Sequence, residues 1–180
     1  MKIETKRLII RPFKKSDYKQ VTACCNDYDV AKSTMSIPIP FTDNDAKVFI
    51  ESTLNTSKSD GTMELAVELK ETKTVVGYIG LVGIYSQSKH AEIGYWVGKN
   101  YWNKGIATEA VKAMINYAFT ELKLHSILAK HFENNLASGA VMKKCGMRYV
   151  GKIHEHEFRM GQYYTVMLYE LLEKDFKKVK

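Results

Sequence analysis

The segment Trp102-Asn103-Lys104-Gly105-Ile106-Ala107-Thr108-Glu109-Ala110 constrains this chain more than any other. It joins a strand-like run, His90 to Val97, to a helix-like run, Thr108 to Leu122. A turn of small residues between a strand and a helix leaves the first backbone N–H groups of the helix without partners. Those donors, at the positive end of the helix dipole, favour a phosphate or pyrophosphate. The residues thus place an anionic cofactor at this junction.

Periodicity sets the surroundings of that turn. Ile3 to Arg11 reads as a strand ended by Pro12. Ser16 is placed to cap a helix through about Asn26, Pro38 and Pro40 mark a loop, and Thr42 with Asp45 opens a helix from Asp43 to about Ser57. Met63–Leu69 and Val75–Tyr85 read as a hairpin, and His90–Val97 as the next strand. Ala110, Val111, Met114, Ile115, Ala118 and Phe119 form a helical stripe. A strand over His125–Phe132, a helix over Leu136–Lys144 stopped by Gly146, and strands over Met147–Ile153 and Tyr163–Leu172 follow. The order is that of a mixed α/β (α+β) domain with a largely antiparallel middle, not the alternation of a doubly wound sheet.

The 180 residues suit one domain spanning 1–180. No apolar run reaches the 18 or so residues of a membrane span, and the N-terminus lacks a signal-peptide core, so a cytoplasmic location is expected. Cys24, Cys25 and Cys145 lack zinc-type spacing and read as buried, reduced thiols. The net charge of +7 suits an anionic cofactor. No dense basic tract with interleaved aromatics is present, which argues against direct binding of nucleic acid. The basic tail of Lys174, Lys177, Lys178 and Lys180 reads as a solvated terminus. Gly77, Gly80 and Gly83 lack dinucleotide-loop spacing and read as strand glycines at a bulge or close contact.

Two motifs in order carry a family resemblance. The first is Ala91-Glu92-Ile93-Gly94-Tyr95-Trp96-Val97 followed by Tyr101 to Ala110; the second runs from Asn134-Asn135-Leu136-Ala137-Ser138 to Lys143-Lys144-Cys145-Gly146-Met147. With the opening Thr5-Lys6-Arg7-Leu8-Ile9-Ile10-Arg11-Pro12, the chain resembles the GNAT superfamily of N-acetyltransferases over nearly its whole length. Within it, the chain resembles the branch containing ribosomal-protein N-terminal alanine acetyltransferases. The resemblance implies the acyl-CoA N-acyltransferase fold: a twisted, mostly antiparallel sheet flanked by helices and splayed between the fourth and fifth strands.

It also implies acetyl-CoA as co-substrate; His154 and His156 lack further ligands of suitable spacing, so no metal is expected. Gly105 and Ala107 match the family's pyrophosphate element, with Trp102 where Gln or Arg is usual. The cradle is therefore expected over Trp102, Asn103, Lys104, Gly105, Ile106, Ala107 and Thr108, with Lys104 adding a charge-assisted contact. Tyr95, Trp96 and Val97 match the strand that pairs with the pantetheine arm, and Asn135 matches the Asn that contacts it. Tyr95 and Trp96 also suit core packing, and Asn135 also suits a helix N-cap.

The implied reaction is attack of a neutral amine on the thioester, with CoA leaving as thiolate. Many family members place a Tyr acid seven residues after the helix Asn, where this chain has Met142, which cannot donate a proton. Ser138, one turn into the helix, is the candidate acid, and a helix-start hydroxyl is its other reading. Glu157, in His154-Glu155-His156-Glu157-Phe158, and Glu92, on the cofactor strand, are the candidate bases; a surface role suits either. If extended, the segment puts His154 and His156 on one side. The acceptor is a peptide or protein N-terminal amine, such as a ribosomal protein alanine, or a small amine. A non-catalytic acyl-CoA-binding regulatory module is the alternative, and exposed strand edges suit a homodimer.

Overall fold

The computed structural model describes residues 1–55, 61–85 and 87–176. The expected helix end at Ser57 and the tail residues Lys177, Lys178 and Lys180 lie outside them. Strands β1 (Ile3–Glu4), β2 (Leu8–Arg11), β3 (Met63–Leu69), β4 (Val75–Tyr85), β5 (His90–Val97), β6 (Ser126–Phe132), β7 (Arg148–Arg159) and β8 (Gln162–Leu172) form one sheet. Its order is β1-β2-β3-β4-β5-β6-β8-β7. The helices among the described residues are α1 (Tyr18–Cys25), α2 (Tyr28–Ser33), α3 (Asp43–Asn55), α4 (Ile106–Thr120), α5 (Leu136–Lys144) and α6 (Glu173–Phe176).

Every neighbouring pair is antiparallel except β5 with β6. Those two pair only at His90↔Ser126, Ala91↔Ile127 and Glu92↔Leu128, then run on without pairing. This opening is the expected splay. Strand alternation divides what faces its two sides. Ala91, Ile93 and Val97 join the core under α4, with Val111, Met114 and Ile127. On the other face Trp96 packs against a second core built by α1 and α3, which includes Val21, Ile50, Ala66 and Val75. Glu92 and Gly94 share that face with Trp96 by the same alternation.

Four local expectations are corrected. The strand expected over Ile3–Arg11 is two antiparallel pieces, paired Ile3↔Ile10 and Glu4↔Ile9. The Thr5 hydroxyl accepts from the Leu8 N–H at 2.9 Å and closes the turn between them. The first helix starts as a 3-10 turn, Lys15–Asp17. Asp17, rather than Ser16, takes a backbone N–H there, from Lys14 at 2.8 Å. Arg11 holds that buried carboxylate at 2.8 Å and Glu68 at 2.6 Å, tying the helix to the sheet. Helix α2 was not expected; Asp27 caps it, accepting from the N–H groups of Asp29 and Val30 at 2.8 and 3.2 Å.

The fourth correction concerns β7, which continues past Ile153 to Arg159. Pairing with β8 breaks between Ile153 and Glu157, where Glu155 takes φ +46°. That break removes the simple alternation that would set His154 and His156 side by side. Thr42 and Asp45 do form their reciprocal cap, with Thr42 N–H to Asp45 at 2.7 Å and Asp45 N–H to the Thr42 hydroxyl at 3.3 Å. The three cysteines are free and buried. No described helix is long and apolar enough to cross a membrane.

Candidate active site

The turn between β5 and α4 is built by its own side chains. After Val97 a 3-10 turn, Lys99–Tyr101, carries the chain across the sheet end. The Trp102 indole N–H donates to the Val97 carbonyl at 2.7 Å, fastening the turn to the strand. Asn103 and Gly105 take φ +59° and +74°. Glycine meets the left-handed conformation without the Cβ penalty. Gly105 is the N-cap of α4, and the first intrahelical bond runs from Glu109 N–H to its carbonyl at 3.0 Å. The N–H groups of Ile106, Ala107 and Thr108 precede that bond, and donors so placed at a helix start make a seat suited to an anion.

Arg7 and Glu109 brace this seat from behind. The Arg7 guanidinium donates to Lys104 O at 2.8 Å and to Glu109 Oε2 at 2.6 Å. Glu109 Oε1 accepts from the Arg7 N–H at 2.9 Å and the Thr5 hydroxyl at 2.6 Å. Burial pushes the Glu109 carboxyl up, but hydrogen bonds from Thr5 and from the backbone and side chain of Arg7 outweigh it and hold the group below its usual value. Sequence reasoning did not single out Arg7 or Glu109, because their partners lie about a hundred positions apart.

The seat opens into a cleft of about 530 Å³ that follows the splay. Of the residues expected at the site, Glu92, Tyr95, Trp96, Val97, Trp102, Asn103, Gly105, Ile106, Ala107, Thr108, Asn135 and Ser138 all line it. Lys104 and Glu157 do not. Lys104 is exposed, with its ammonium 5.7 Å from the Tyr101 ring centre. Glu157 pairs across β7–β8 with Tyr164, whose ring packs at 4.6 Å on Phe132 of the cleft wall, so it sits on the edge strand, beyond β8 from that wall. Its nearest ionic partner is His156, at 4.0 Å.

Backbone direction follows from one bond. Gly98 N–H donates to Val76 O, so Gly98 faces β4. By alternation Trp96 also faces β4, and the N–H and C=O groups of Tyr95 and Val97 face the splay. Side chains on α5 close the opposite wall. Asn135 caps α5 by accepting from Ser138 N–H at 3.2 Å, and its Nδ2 donates to Ser33 O at 3.1 Å. It therefore ties α5 to the end of α2. The Tyr95 hydroxyl lies 2.9 Å from the Ser138 hydroxyl and donates to Ser138 O at 3.2 Å. Burial pushes the Tyr95 phenol well up, so it stays neutral and a donor at neutral pH. Met142 is in the core.

Sequence reasoning also missed the outer wall, Ser33 to Ser36, and with it Tyr78, Lys130 and His131 in the lining. Helix α2 had not been recognised, and a lysine and a histidine on a strand carry no signal until the splay turns them inward. Arg159 secures the outer wall by donating to Ala31 O, Met35 O and Ile37 O. Buried His131 has Nδ1 2.7 Å from Phe132 O, and burial pulls its value down, so the ring is neutral. Among the described residues no group of three or more His, Cys, Asp or Glu is placed to hold a metal ion.

The Acetyltransferase (GNAT) domain family matches residues 7–148. An uncharacterised N-acetyltransferase of Bacillus subtilis (strain 168) is 34% identical over 179 residues, covering 98% of this chain and 99% of its own. The crystal structure of a GNAT-family acetyltransferase from Bacillus anthracis superposes with a TM-score of 0.86 at 30% identity, covering 97% of this chain and 99% of its own. The [ribosomal protein uS5]-alanine N-acetyltransferase of Escherichia coli (strain K12) is 26% identical over 107 residues, 59% of this chain and 55% of its own.

Proposed function

The chain belongs to the GNAT acetyltransferase family, whose members are acetyl-CoA-dependent transferases, and on that premise we propose that it acetylates a primary amine through the residues of the splay cleft. The acceptor is a protein N-terminal amine, such as a ribosomal protein alanine, or a small-molecule amine. The observation that carries this reading is the continuity of the cleft. One opening joins an anion seat, two unpaired strand edges and a hydroxyl pair.

The residues fit acetyl-CoA. The N–H groups of Ile106, Ala107 and Thr108, with Asn103 and Gly105 shaping the turn, suit the pyrophosphate. The splay-facing groups of Tyr95 and the N–H of Val97, whose carbonyl Trp102 already holds, suit the amides of the pantetheine arm. Acetyl-CoA, when bound, supplies the thioester. A splay-facing N–H of β5 then polarises the thioester carbonyl. Glu92 takes the proton that the acceptor ammonium must lose before its lone pair can attack. The new C–N bond forms, the C–S bond breaks, and Ser138 gives its hydroxyl proton to the leaving sulfur. Tyr95 orients Ser138 and relays a proton to it, while the acylated nitrogen gives up its remaining extra proton to solvent, from which the hydroxyl pair is restored as two neutral hydroxyls. Proximity in the cleft lowers the barrier further.

Buried reduced thiols suit a cytoplasmic enzyme. The exposed apolar residues Tyr149, Val150 and Ile153 on edge strand β7 suit a homodimer. The testing experiment is calorimetric titration with acetyl-CoA followed by thiol release over an amine and peptide panel. Binding with release supports the reading. Binding without release for any amine overturns it in favour of an acyl-CoA-binding regulatory module.

A further inference from the structure

The side of the cleft away from α4 and α5 carries two opposite charges whose hydrogen-bonding capacity the protein leaves unused. Glu92 Oε1 and Lys130 Nζ lie 3.4 Å apart on the two lips of the splay. Glu92 belongs to the last β5–β6 pair, and Lys130 stands two residues beyond that pair on β6. Neither side chain makes a hydrogen bond to the protein among the described residues. With 39% and 28% of their side-chain surfaces exposed, both are half sheltered by the cleft. Of the other acids near this face, Glu64 accepts from the Tyr78 hydroxyl at 3.1 Å, and Glu157 is not part of the cleft lining.

Beside the pair the sheet surface is bare. A Cβ on Gly94 would meet nothing within 4 Å. Across the strand pair, the position above Gly80 is filled by the Tyr78 hydroxyl, so Tyr78 lies flat over its own strand and leaves the Gly94 hollow open. Trp96, stacked at 6.1 Å on Tyr78, walls one end of the hollow, and Glu92 stands at the other.

Resting on the proposed acetyl transfer, we propose that the acceptor is an amine that carries its own carboxylate, an α-amino acid in the simplest case. Its ammonium sits on Glu92, its carboxylate on Lys130, and its side chain over Gly94. In an α-amino acid the nitrogen and the carboxylate oxygens are roughly 3 Å apart by standard bond lengths and angles. That separation matches the 3.4 Å between the two protein charges, so the ligand dipole lies antiparallel to the protein pair. A diamine would bring a second cation against Lys130, and a peptide N-terminus offers a neutral amide in place of the carboxylate. The position also suits the chemistry: strand pairing ends at Glu92, so the amine arrives where the splay opens, beside the carboxylate that takes its proton.

The test is thiol release from acetyl-CoA with the twenty free amino acids, the C-terminal amides of the same amino acids, putrescine, and a peptide beginning with alanine. At least one free amino acid is expected to exceed its own amide in kcat/KM by about ten- to a hundredfold, the range of a charge-assisted contact. Lys130→Met is expected to bring that ratio near one with the acetyl-CoA Kd unchanged, and Lys130→Arg to retain it. An amide, putrescine or peptide that matches the best free amino acid overturns the inference and leaves the acetyl transfer standing. A ratio that survives Lys130→Met also overturns it. Bound acetyl-CoA with no amine acetylated overturns both.

Discussion

Replacing Gly105 with glutamate separates the anion seat from the stability of the fold. Gly105 holds φ +74° at the N-cap of α4. A Cβ there would find only Arg7 Nη2, at 3.4 Å, so the fold has room for a side chain and the cost is backbone strain. The left-handed region costs a residue with a Cβ about 1–2 kcal/mol. For a domain of this size that is about 2–8 °C in Tm, partly offset by about 0.3–1 kcal/mol from an acid at the helix N-terminus. Ligand binding changes more. A carboxylate about 5 Å from a phosphate charge, at an effective dielectric near 20, costs about 3 kcal/mol, or roughly a hundredfold in Kd. Arg7 Nη2 lies beside the new carboxylate, but the guanidinium charge is already shared with Glu109, so it offsets only part of this cost. Gly105→Gln shares the bulk and the strain, so the ratio of the two variants isolates the charge. Calorimetric titration with acetyl-CoA and a thermal melt read the two effects separately. A Gly105→Glu protein that melts as expected yet binds acetyl-CoA within about threefold of the unsubstituted chain would refute the seat.

Further perturbations address the reacting groups. Ser138→Ala is expected to lower kcat more than it weakens acetyl-CoA binding, and Tyr95→Phe to lower it less; additive effects in the double variant would show that the hydroxyl pair does not act as a unit. Glu92→Gln should lower kcat by about 10²–10⁴-fold, whereas Glu157→Gln should leave it within about threefold, and the reverse ranking would move the base to Glu157. Asn135→Ala should cost about 1–2 kcal/mol, or about 2–8 °C in Tm. Asn135→Asp, which keeps the cap and loses the donor to Ser33, should recover most of it. Equal losses in both would place the stabilising contact at Ser33 rather than at the cap.

Much of the fold is legible in the sequence because its signals are local. The stripe Ala110, Val111, Met114, Ile115, Ala118, Phe119 is a helical period, and all six side chains are buried in α4. The Thr42–Asp45 cap needs only residues three apart. The misses come from contacts with distant chain. The first strand breaks at Thr5 because Thr5 and the Arg7 N–H are drawn to Glu109, which no local window includes. Strand β7 extends to Arg159 because β8 offers it partners as far as Gln162.

The same division holds for the site. The sequence alone determined that a strand leads through Trp102 and Gly105 into a helix with bare N–H groups, because a turn and a helix start depend on a few consecutive residues. Its likeness over two motifs led to the expectation that Tyr95, Asn135 and Ser138 meet one ligand. Only the tertiary structure decided which of them touch. Tyr95 meets Ser138 because the parallel strands β5 and β6 part after Glu92 and let α5 approach the gap. The same parting sets Lys130 opposite Glu92, whereas Glu157, on edge strand β7, stays out of the lining. Period-two alternation names the face of each residue on its own strand; how two strands are registered, and where they separate, is fixed only by their packing against the rest of the chain.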